Sequence, residues 1–142
     1  MATETSTALR LERTYSASPA EVFQAWTNPQ QLKRWFSPSD EMEVPVAEID
    51  LREGGTYKIE MRGDESFVVS GTYREISDPE RLVFTWAWAT DPDNESLVTV
   101  ELSERDGGTA LVLTHEQLAD PESRTRHEQG WNGCLDRLAS VL

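Results

Sequence analysis

The stretch that most constrains the fold is the last one, Asp120 to Leu142. Asp120-Pro121-Glu122 reads as a helix start, with an Asp cap, Pro at the first helical position and an acid in the first turn. No further Pro interrupts the chain, so a helix of about 20 residues would run roughly 30 Å, the width of a small domain. Trp131, Cys134, Leu135, Leu138 and Leu142 fall on one stripe at helical spacing, with His127 one turn before Trp131. Such a face demands a covering layer.

The segments upstream supply that layer. Leu9 to Tyr15 alternates with period two and reads as a first strand. Ser18-Pro19-Ala20-Glu21 is a capping box that opens a helix through about Thr27. Asn28-Pro29 starts a second short helix carrying Leu32, Trp35 and Phe36. Six alternating segments follow, at 44–52, 56–62, 67–76, 81–89, 96–105 and 109–116. Their connections are too short for parallel crossovers, so they form an antiparallel meander that the first strand can extend. Gly54-Gly55 and Gly107-Gly108 are hairpin glycines.

Parity places Tyr57, Phe67, Phe84, Trp86 and Trp88 on the apolar side of this sheet, and His115 on the same side of the last strand. A sheet with one apolar face needs one covering layer, and the long helix provides it. The fold class is therefore α+β, a helix-grip arrangement: a curved antiparallel sheet of six to seven strands around a C-terminal helix, with two short helices after the first strand. Residues 1–8 read as a flexible tail and 9–142 as one domain.

Charge excludes several functions. With 26 acidic and 13 basic residues the formal charge is −13, which opposes nucleic acid and anionic membranes. No apolar run marks a signal peptide or a span, and the single Cys134 fits a reducing compartment. A cytoplasmic location is expected.

Several blocks together resemble a known family. They are Glu48-Ile49-Asp50-Leu51-Arg52-Glu53-Gly54-Gly55-Thr56-Tyr57, Ser70-Gly71-Thr72-Tyr73 and Pro79-Glu80-Arg81-Leu82-Val83-Phe84-Thr85-Trp86. Leu113-Thr114-His115-Glu116, the Gly130 to Leu138 run and Pro19 to Trp26 complete the set. The chain resembles the activator-of-heat-shock-protein-90-ATPase homologues, within the START-like (SRPBCC, Bet v 1-like) superfamily. The resemblance implies the helix-grip fold and a deep apolar cavity between sheet and helix. Among roles it implies are small-molecule binding, aromatase/cyclase-type catalysis and co-chaperone action on a chaperone partner.

The candidate ligand-binding residues are Tyr57, Phe67, Phe84, Trp86, Trp88, His127 and Trp131. Aromatics with polar edges suit a pocket wall, although core filling is the ordinary role of such residues. His127 and His115 are the candidate proton shuttles, each with a blander alternative as a hydrogen-bonded structural histidine. No ligand spacing points to a metal, and no motif points to a cofactor. Gly130, inside the long helix, signals close approach of the sheet, a kink, or ligand access. The expected protein binds an apolar or aromatic small molecule, as a monomer or homodimer, with a histidine enzyme or a chaperone cofactor as alternatives.

Overall fold

A computed structural model describes residues 8–37, 39 and 41–142; the expected tail at 1–8 falls, except for Ala8, outside the described residues. Seven strands form one antiparallel sheet in the order β1-β7-β6-β5-β4-β3-β2. They are β1 (Leu9–Tyr15), β2 (Glu43–Ile49), β3 (Thr56–Arg62), β4 (Ser66–Ser77), β5 (Arg81–Trp88), β6 (Ser96–Arg105) and β7 (Gly108–Glu116). The helices are α1 (Pro19–Thr27), α2 (Pro29–Leu32) and α3 (Pro121–Val141). The meander runs from β2 to β7, and β1 closes onto β7 with Leu11 opposite Leu113.

Local chemistry sets these elements. Ser18 Oγ accepts from Glu21 N–H at 3.2 Å while the Ser18 N–H donates to Glu21 Oε1 at 3.0 Å, so the capping box is complete. The Ser18 N–H and the Ser18 hydroxyl both donate to the Glu21 carboxyl and hold it below its ordinary pKa. Asn28 Oδ1 accepts from the N–H groups of Gln30 and Gln31 and starts α2. This helix stops at Leu32, so Trp35 and Phe36 lie in the turn beyond it rather than on it, both buried. Pro45, which has no N–H to give, sits where the β2–β3 register shifts on an edge strand. Gly71 lies so close to β5 that an added Cβ would stand 2.0 Å from Thr85 O. Only glycine permits that approach.

Asp120 Oδ1 caps α3 by accepting from Ser123 N–H at 2.7 Å. The 21-residue helix buries Trp131, Cys134, Leu135 and Leu138. Leu142, expected on the same stripe, is instead exposed beyond the helix end. Across the gap, Tyr15 Oη donates to Leu135 O at 3.0 Å and Arg13 donates to Asn132 Oδ1 at 2.6 Å. These bonds fasten α3 to β1, at one edge of the sheet. No helix among the described residues is long and apolar enough to cross a membrane.

Candidate functional site

The inner face of α3 changes character along its length. Its second half presents Trp131, Cys134, Leu135 and Leu138, all buried. Its first half presents Ser123, Arg126, His127 and Gly130, which give the sheet little apolar volume to pack against. Close packing therefore fails over that half. A cavity of about 620 Å³ lies there, in the range of small-molecule sites. Trp86, Trp88, Trp131, Phe36, Met42 and Met61 supply its apolar wall. Ser66, Thr90, Asp91, Asn94 and Asp120 are among its polar residues.

The sequence-nominated residues divide by their height along the strands. Trp86, Trp88, His127 and Trp131 line the cavity together. Phe67 stands at its edge, 46% exposed, its ring centroid 6.4 Å from that of Trp88. Tyr57 and Phe84 share the inner face but not the cavity. Their rings meet edge to face at 5.4 Å and join Tyr73 in a buried cluster. Tyr57 Oη donates to Thr85 O at 2.5 Å, and burial pushes its pKa well up, as it does that of Tyr73.

His115 lies beneath the cavity wall, fully buried, its ring centroid 4.9 Å from that of His127. Both histidines are bound to indole N–H groups, which can only donate. Trp131 Nε1 donates to His115 Nδ1 at 3.1 Å, so the His115 proton belongs on Nε2, which donates to Ser96 Oγ at 2.7 Å. The Ser96 hydroxyl in turn donates to Trp86 O at 3.2 Å. Trp88 Nε1 donates to His127 Nε2 at 3.1 Å, so Nδ1 carries the proton and donates to Ser123 O at 2.8 Å. Each histidine is thereby held neutral in a single tautomer. Burial, with His127 nearby, lowers His115 to about 3. Burial also lowers His127, against the opposing hydrogen bond to Ser123 O.

This polarity decides what the pair of Ser96 and His115 can do. A serine nucleophile needs a histidine nitrogen free to take its proton. Here the facing nitrogen already carries one, so the hydrogen bond runs the wrong way for activation. Neither nitrogen of His127 is free. Cys134 is buried, and burial pushes its thiol up to about 12, far from a reactive thiolate. Among the described residues no three His, Cys, Asp or Glu side chains gather to hold a metal ion.

Sequence reasoning missed Phe36, Met42, Met61 and Ser96. Met61 and Ser96 have inward parity, with Ile59 and Val98 respectively, and parity was the available signal. Of the three readings of Gly130, close approach, a kink or ligand access, the structure bears on the first. An added Cβ at Gly130 would meet no atom within 4 Å, so the space beside it is open and belongs to the cavity. The Trp86 indole N–H has no acceptor among the described residues.

Sheet, gripped helix and intervening cavity define a helix-grip domain of the START-like class. A family model described as "Activator of Hsp90 ATPase homolog 1-like protein" matches residues 16–142, and the chain belongs to that family. Among solved structures it is similar to protein CV1439 from Chromobacterium violaceum, at 28% identity and a TM-score of 0.85, covering 95% of this chain and 96% of that one. The AHSA1 (SPO3351) protein from Silicibacter pomeroyi is 31% identical with a TM-score of 0.83, over 94% and 95% of the two chains. CalU16 from Micromonospora echinospora is 29% identical with a TM-score of 0.74, over 94% of this chain and 74% of that one. No curated protein matches the chain.

Proposed function

We propose that this protein binds an apolar or aromatic small molecule in the cavity between the sheet and the first half of α3. The observation that carries this reading is the mismatch along α3. Aromatic and thioether side chains from the sheet and the α2 side face a helix segment too small and polar to fill the space. A ligand would complete the packing that the chain leaves undone. Burying about 300 Å² of ligand apolar surface at ~25 cal/mol/Å² offers about 7 kcal/mol before association costs.

Catalysis through the histidines is the weaker reading, because every ring nitrogen is already committed to a protein partner. Binding without turnover needs no free nitrogen. Isothermal titration with 1-naphthylmethanol, a neutral aromatic probe, tests the proposal. A saturable one-to-one isotherm with a midpoint below about 1 mM is expected for a ligand of this size. Absence of saturable heat and of displacement by other apolar compounds would overturn it.

A further inference from the structure

The charges around the cavity carry information that its apolar wall does not. Asp91 and Asp120 both line it, and neither is ion-paired among the described residues. Asp120 Oδ1 accepts from Ser123 N–H and Asp91 Oδ2 from Asn94 Nδ2, which leaves each carboxylate with unused acceptor capacity. Among the described residues Arg126 is the one Lys or Arg lining the cavity, and it shares an exposed ion pair with Glu122 at 3.2 Å that offsets part of its charge. His127 and His115 add no positive charge, because each accepts a hydrogen bond from an indole. The wall itself is rich in indole rings, whose electron-rich faces attract cations. Around the whole site the protein carries a formal −13, which steers cations inward and anions away.

We propose that the cavity selects organic cations, a protonated amine or quaternary ammonium on an aromatic or aliphatic body, over carboxylates of the same shape. This rests on the ligand-binding reading above and adds the charge of the ligand to it. The apolar body lies against the tryptophans, and the cationic head reaches toward Asp91 and Asp120. A carboxylate in the same pose meets these two acids, against one arginine whose charge Glu122 partly offsets. The spare Trp86 N–H does not rescue the anion, since that atom has almost no exposed surface.

A matched series separates the two ideas: 1-naphthylmethylamine, 1-naphthylmethanol and 1-naphthoate, titrated calorimetrically at pH 7 in 20 mM NaCl. The amine is expected to bind about tenfold more tightly than the carboxylate, with the alcohol between them. That ratio should shrink toward about threefold at 300 mM NaCl, where exposed charges are screened. It should shrink similarly in the Asp91→Asn/Asp120→Asn double variant, in which Asn still caps α3. Equal affinities, a preference for the carboxylate, or a ratio unchanged in the double variant would overturn the charge selection while leaving the cavity reading standing. Binding of none of the three would overturn both.

Discussion

Gly130 gives the sharpest consequence of the open half of α3. Glycine inside a helix costs about 0.8–1 kcal/mol relative to alanine, because it loses more backbone freedom on folding. Where a glycine is kept for close packing, replacing it costs more than that gain. Here the added Cβ has open space around it, so Gly130→Ala recovers the propensity with no clash. Stability should rise by about 1 kcal/mol, or roughly 3 °C in Tm for a domain of this size. Gly130→Leu should keep most of that gain while placing its side chain in the cavity. It should therefore weaken 1-naphthylmethanol binding more than tenfold. Circular dichroism melts and guanidinium titrations measure the first effect, and calorimetry the second. A less stable Gly130→Ala protein would refute the open-space argument. A stable Gly130→Leu protein that binds the probe as tightly as wild type would refute the placement of the ligand.

Two further outcomes follow from the histidine network. Its folded-state pKa values are lowered, so the unfolded chain binds more protons below the ordinary histidine value of about 6.5 and stability should fall as pH drops. For His115 the window runs from about 6.5 down to about 3, at up to roughly 1.4 kcal/mol per pH unit. Glu21 and Glu60, lowered from 4.5, act only below that value, so the slope between pH 6.5 and 5 belongs to the histidines. Guanidinium midpoints across this range check it, and a flat profile would contradict the neutral pair. Ser96→Ala strands the His115 Nε2–H in the interior and should cost about 1–3 kcal/mol of stability, with no change in hydrolysis of p-nitrophenyl acetate. Loss of a measurable esterase activity in that variant would show the Ser96 hydroxyl to be activated after all.

Much of this architecture was legible in the residues. Period-two alternation gave the meander, the Ser18 and Asp120 caps gave the helix starts, and the Trp131 stripe identified the gripped helix. Parity also put Trp86 and Trp88 on the inner surface of the sheet, facing the Trp131 stripe. Parity reports the face of a strand, however, and not the height along it. Tyr57 and Phe84 share the face of Trp86 yet lie away from the open half of α3, where their rings pack with Tyr73. Height depends on how α3 sits across the sheet, fixed by long-range bonds such as Arg13 to Asn132 and Tyr15 to Leu135 O. Phe36 was misplaced for a related reason: α2 ends four residues before it, and a turn carries its ring to the cavity. The tautomers of the two histidines depend on indole donors 39 and 16 residues away in sequence, which no local pattern encodes.

The most direct test of the central claim is to watch the five tryptophan indole N–H signals in an ¹⁵N-correlated NMR spectrum during titration with 1-naphthylmethanol. If the cavity takes the ligand, the signals of Trp86, Trp88 and Trp131 shift together along one saturation curve. Trp35, fully buried and with its N–H bonded to Ala25 O, stays in place. Saturable binding with those three signals unmoved would put the ligand elsewhere and contradict the account.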